Sequence, residues 1–287
     1  MGFYQPAQII IDAQKHGIRV LPIDINLSSW DNTLEGETGS KWHAIRLGLR
    51  QVKGLQAEDA ERLLAGRIKP YQSINSLIDA GLTTALLERL ADADAFGSLG
   101  LDRRQALWEI SALADTPIAL FEGQASESTQ EGQIELPLMS QSEHVVQDYA
   151  ATALSIKAHP VSFLRRKLDL LHVIPTAKLS EVRNDMPVKV CGLITVRQRP
   201  GTAKGVLFVT IEDETGFANL VIWGTVFEKY RREVLRAKLF MVSGKVQKEG
   251  DVIHVIAQRC FDVTGLLKDL TEDQHSEEAF HKGRNFH

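Results

Sequence analysis

From Pro187 onward the chain keeps a period of two, and this limits its possible folds more than any other feature. The runs VKVCGLITV, VLFVTIED, FANLVIW, LFMVSGKVQ and DVIHVIAQRCFDV read as five strands, with one helical segment, TVFEKYRREVLRA, between the third and fourth. Three strands, a helix and two strands is the arrangement of a five-stranded OB barrel. Barrels of this kind bind oligonucleotides on their second and third strands and on the loops beside them. The connection Glu249 to Asp251 is short enough to make the last two strands a hairpin. Within the second strand Leu207, Val209 and Ile211 share one face, which leaves Phe208 and Thr210 on the other.

Upstream the pattern is helical. Ala7, Ile10 and Ile11 recur at helical spacing between Pro6 and His16, with Gly17 as a stop. The following IRVLPIDIN is β-rich but holds a proline, which suggests an edge strand or extended segment. One helix and one strand are too little for a domain, so residues 1–40 read as the end of a larger one, a first hint of a fragment. From Ala44 to Ala114 short helices are punctuated by Gly54, Gly66, Gly81, Gly97 and Gly100, with Ile45 to Leu49 as a possible strand. Residues 114–148 hold seven carboxylates and no lysine or arginine, and the Ser-, Gln- and Gly-rich stretch within them reads as a linker. Ser142 to Leu171 turns helical again around a break at Pro160, and the residues past Leu270 look frayed. The expected organisation is α+β and multidomain: 1–40, a helical domain at 41–113, an acidic flexible linker at 114–141, a helical connector at 142–185, the OB barrel at 186–268, and a polar tail at 269–287.

The chain of 287 residues has no apolar stretch of membrane-spanning length, and its start lacks the basic and apolar regions of a secretory signal. A cytoplasmic location and no membrane partner follow as expectations. Cys191 and Cys260 are the two cysteines, far apart and without a CxxC, so neither a disulfide framework nor a cysteine zinc site is available. The net charge of −4 conceals a basic module, because residues 186–268 carry thirteen lysines and arginines against eight carboxylates.

Two segments carry candidate binding chemistry. LRQVKGLQAEDAERLLAGR has the form of a helix-hairpin-helix unit: Arg50, Val52, Lys53, Gly54 and Leu55 would form a turn whose backbone N–H groups point at a duplex phosphate, with Lys53 adding charge. Gly54 also fits an ordinary helix cap. ADADAFGSLG, Ala91 to Gly100, looks like a second such turn, making a tandem pair. In the barrel, the loop VRQRPGTAKG brings Arg197, Arg199 and Lys204 together, and Phe208, Phe217 and Trp223 on the second and third strands could stack on unpaired bases. Trp223 fits a core position equally well. Lys245 and Lys248 end the fourth strand, while Lys229, Arg231, Arg232 and Arg236 read as a solvated helix face. Asp92 with Asp94 reads as helix-end residues and Glu212 to Glu214 as the lip of a β-turn. No HExxH, GxxxxGK[ST] or GxSxG occurs. No catalytic residue and no metal ligand is assigned.

The segments MGFYQPAQIIIDAQKHGIRVLPIDIN, RLGLRQVKGL, ADAFGSLGLDRRQALWEI, LSIKAHPVSFLR, VRQRPGTAKGVLFVTIEDETGFANLVIW and RNFH together resemble the C-terminal part of bacterial error-prone DNA polymerases, C-family relatives of the replicative polymerase III alpha subunit. The resemblance implies the end of a fingers domain, then a helix-hairpin-helix domain and an OB domain. It also implies a palm with catalytic aspartates and magnesium upstream of these segments. It places Val52 to Leu55 near duplex DNA and Arg197 to Trp223 near single-stranded template. Damage-induced translesion synthesis is implied as the role, with the sliding clamp and mutagenesis-cassette proteins as partners. QIELPL, Gln133 to Leu138, loosely suggests a clamp peptide. The alternative is a free-standing accessory protein that binds single-stranded DNA.

Overall fold

The computed structural model describes residues 6–36, 43–114, 139–201, 205–250, 252–271, 279–280 and 284–286. The chain forms two compact units, Met1–Met139 and Ser140–His287. Residues 115–138 of the expected linker, including the QIELPL segment, and Lys204 lie outside the described residues.

The first unit opens with helix α1, Pro6–Lys15, on the predicted span. Three short strands follow, β1 (Val20–Leu21), β2 (Thr33–Glu35) and β3 (Ala44–Arg46), in the order β1-β3-β2 with β1 and β3 parallel. This sheet crosses the boundary expected at residue 40, since β1 and β2 both pair with β3. The opening segment is tied further into the helices: Arg67 donates to the carbonyls of Ile25 and Ser28, and the Asn26 side chain joins the backbone of Tyr71. Residues 6–36 therefore belong to the same folding unit as the helical domain. That domain consists of α2 (Ala57–Gly66), α3 (Ile74–Asp79), α4 (Thr84–Asp92) and α5 (Arg103–Ala114). Leu63, Ile74, Leu77, Leu87, Leu90, Phe96, Ala106 and Ile110 are buried at helical spacing and form its core.

The second unit is a closed barrel with helices outside it. Helices α6 (Gln141–Thr152) and α7 (Pro160–Leu170) come first, with Pro160 starting α7 at a position where its missing N–H costs nothing. The barrel strands are β4 (Pro187–Gln198), β5 (Leu207–Asp213), β6 (Gly216–Ile222), β7 (Leu239–Glu249) and β8 (Val252–Asp262). Their order is β5-β6-β8-β7-β4, and β4 pairs with β5 to close the ring. At Gly192 the β5 backbone passes so close that a Cβ would meet the Glu212 carbonyl oxygen at 2.5 Å, so β4 can bend from β7 onto β5 there only without a side chain. Helices α8 (Gly224–Lys229) and α9 (Arg231–Arg236) plug the barrel through Phe227 and Val234.

The segment expected as a connector is instead a second layer. Val146, Val161, Leu164 and Leu168 of α6 and α7 pack with Cys191, Leu193, Leu239 and Met241, the outward residues of β4 and β7. Part of the expected polar tail also joins this layer. Phe280 is 2% exposed and lies 5.1 Å from the Tyr149 ring, and strand β9, Arg284–Phe286, adds in parallel to β4.

Candidate nucleic-acid interface

The two glycine turns of the first unit each hold a left-handed glycine, Gly54 at φ +75° and Gly100 at φ +74°, in different surroundings. At the first, Val52 and Leu55 are buried anchors, while Lys53 and Gly54 form the exposed tip, with Gly54 at φ +75°. The turn leads directly into α2, whose N-cap Gln56 makes no side-chain cap. A cation that sequence reasoning missed also sits here: Arg89 of α4 donates to the Gly54 carbonyl at 2.9 Å. Arg50 pairs instead with Asp31, so its charge is partly spent within the fold. At the second turn the Ser98 amide donates to Asp24 Oδ2 at 2.8 Å, and Asp24 is 4% exposed. The other Asp24 oxygen accepts the Asn26 amide, and the Asn26 side chain donates to Ser98 Oγ at 2.9 Å. An internal carboxylate thus takes up one outward N–H of this turn. The tandem pair expected from sequence contains one outward turn and one filled turn.

The barrel contributes an exposed face. Strand register aligns Gln198, Phe208, Val221, Ile256 and Lys245 in one outward row, and Thr210, Asn219, His254 and Gln247 in the next. Phe217 lies further along β6, 40% exposed, and Val252 of β8 is 50% exposed. Within the second row Thr210 Oγ1 bonds Asn219 Oδ1 at 3.0 Å. Trp223 is 53% exposed at the end of β6, so it is not a core residue. Phe208 is half-buried, on the face opposite Leu207, Val209 and Ile211, as alternation predicts. Asn219, His254 and Ile256 were not singled out in the sequence. Their place on this face follows from the parallel β6–β8 pairing, which no local pattern reveals.

The predicted cations divide into two groups. Lys245 is exposed on the first row, and Arg199 is exposed with its guanidinium 5.0 Å from the Phe227 ring. Arg197 is only 2% exposed, contrary to the expectation of a mobile basic loop. Its guanidinium caps the end of α9 by donating to the carbonyls of Val234, at 2.8 Å, and Ala237. Burial lowers its pKa to about 10, and the Asp262 charge opposes that shift. A register shift between Ile194 and Val196 turns this side chain inward. Lys248 is also engaged in the fold, with its ammonium 2.7 Å from the Ser180 carbonyl.

The acidic run at the β5–β6 turn is structural. Asp213 accepts from the amide and hydroxyl of both Thr176 and Thr215, and pairs with Arg165 of α7, which also grips Glu214 at 2.6 Å. Burial resists ionisation of Asp213, but the hydrogen bonds from Thr215 and Thr176 outweigh it and hold the carboxyl below the usual range. Asp92 ends α4, and Asp94 follows at φ 57°. Among the described residues no group of three or more His, Cys, Asp or Glu side chains could hold a metal ion, and no helix is long and apolar enough to cross a membrane.

Comparison with known proteins agrees with both modules. Residues 17–106 match the helix-hairpin-helix motif family and residues 188–263 the OB-fold nucleic acid binding domain family. Nearly the whole chain is homologous to part of several proteins named error-prone DNA polymerase. It is 46% identical to error-prone DNA polymerase 2 of Agrobacterium fabrum over 95% of its length, and 45% identical to error-prone DNA polymerase 1 of Rhizobium meliloti over 93%. The identity is 46% over 94% of the chain for the Brucella abortus protein of that name. The chain spans about a quarter of the length of these relatives.

Proposed function

We propose that the chain is the C-terminal, DNA-holding portion of an error-prone DNA polymerase. On this reading it takes duplex at the Lys53–Gly54 turn and single-stranded template on the open face of the barrel. The observation that carries the reading is the outward face of the barrel itself, which bears the half-buried Phe208 and the exposed Phe217, Trp223, Lys245 and Arg199. Stacking on aromatic rings with backbone phosphates beside cations is tolerant of sequence, which suits a template of any composition. Nucleotidyl transfer and its magnesium then belong to the complete polymerase. Translesion synthesis in DNA repair, a cytoplasmic site of action, and the sliding clamp and mutagenesis-cassette proteins as partners complete the proposal.

The test is fluorescence anisotropy of labelled single-stranded and primer–template DNA over a salt series, beside primer extension with magnesium and nucleotides. Salt-sensitive binding of both DNAs without extension is the expected result. Extension by this chain alone, or no binding of either DNA, would overturn the proposal. Equal affinity for a bare single strand and a primer–template junction would favour a free-standing single-strand-binding accessory protein.

A further inference from the structure

We infer that Arg199 and Arg231 together clamp the phosphodiester backbone of a single strand where it passes Trp223, an inference that rests on the open face being a single-strand site. Thirty-two residues apart in sequence, the two guanidinium carbons lie 5.0 and 5.7 Å from the centroid of one ring, that of Phe227. Phe227 is fixed, 3% exposed in the barrel core, and its amide donates to the Trp223 carbonyl at 2.8 Å. The pair of cations is therefore held one helical turn beyond the exposed tryptophan.

Two positive charges over the same ring repel one another, and attraction to the ring offsets this only in part. A strand whose phosphates pass the two forks relieves the repulsion, and phosphate matches guanidinium geometry bidentately. Glu228 does not neutralise the pair, because it meets Arg231 at 3.5 Å with both side chains 61% exposed, a weak surface contact. The path leads there as well. Phe217 and Asn219 are exposed along β6 toward Trp223, with Val221, 7% exposed, between Asn219 and Trp223, a line of about 20 Å for six residue steps. In sequence Arg231 reads as one charge on a solvated helix, and only the packing of Phe227 sets it against the same ring as Arg199.

The experiment measures binding of labelled oligothymidine to the full chain across a salt series. For Arg199→Gln and Arg231→Gln, the slope of log affinity against log salt should fall by about 0.7 each, with about three- to tenfold weaker binding at low salt. Glu228→Gln keeps both arginines, removes a repelling charge and should tighten binding about twofold, so the proposal stays testable if an arginine variant folds poorly. An unchanged slope and affinity in Arg231→Gln and Glu228→Gln, while Phe208→Ala still weakens binding, overturns the clamp and leaves the open face standing. Failure of the unaltered chain to bind oligothymidine overturns both.

Discussion

On β4 and β7 the outward residues Cys191, Leu193, Leu239 and Met241 are buried under α6 and α7. On β5, β6 and β8 the outward residues Phe208, Asn219, Phe217 and His254 remain partly or largely exposed. Both flanks are written in the same alternation, with every second residue pointing away from the barrel axis. Their difference lies in what stands outside them. The covered flank contributes stability through apolar burial, whereas the exposed flank leaves aromatic surface for a ligand. An apolar residue pointing outward from a barrel strand therefore acquires its meaning from the second layer.

The contrast would break most visibly at the pin that joins α7 to the barrel. Asp213→Ala removes the acceptor of the Thr176 and Thr215 amides and hydroxyls and one of the two carboxylates on Arg165, and should cost about 3–5 kcal/mol in urea unfolding of the second unit. An effect under about 1 kcal/mol would show that the helical layer is not held there. The same carboxyl predicts the acid limit of this unit. Its folded pKa is depressed, so its contribution is present above the unfolded value near 3.8 and lost as pH falls through the folded value. The urea midpoint should drop below about pH 4, and drop less in Asp213→Asn.

Leu164→Ala on the covered flank and Phe217→Ala on the exposed one sharpen the comparison. The first removes a side chain 1% exposed and should destabilise by about 2–5 kcal/mol. The second should change stability little and weaken single-strand binding by about 1–3 kcal/mol in anisotropy. The reverse pattern would mean that the faces are misassigned.

The two glycine turns extend the contrast to the first unit. Gly54→Val forces a branched side chain into φ +75° at the exposed turn and should cost about 1–3 kcal/mol together with duplex affinity, leaving single-strand affinity in place. Equal loss of both affinities would refute the separation of roles. The smallest expected effect is that of Lys245→Ala on the exposed face, a fall of about 0.7 in the single-strand salt slope. An unchanged slope would remove Lys245 from the phosphate path.

The barrel was legible because its five runs alternate over most of their length and its helical insert interrupts them in one place. The helices were legible from spacing and from boundary residues, Gly17 after α1 and Pro160 at the start of α7. What could not be read was any residue whose role depends on a distant partner. Asp24 fills the second glycine turn from seventy-four residues upstream of Ser98, so the tandem pair looked symmetrical in sequence. Arg197 and Arg199 stand two apart in one basic loop, yet the irregularity in β4 sends one beneath α9 and the other to the surface. The segment 142–185 looked like a connector because its apolar stripe does not state which surface it covers.

By itself the sequence determined the secondary structure of the barrel, the glycine turns, and which face of β5 points inward, because pleating and backbone sterics act within a few residues. Tertiary structure decided which outward face is covered, which arginines are exposed and which turn is already filled. These outcomes depend on the burial of apolar area and the pairing of charges between segments tens of residues apart, and a linear pattern does not encode that proximity.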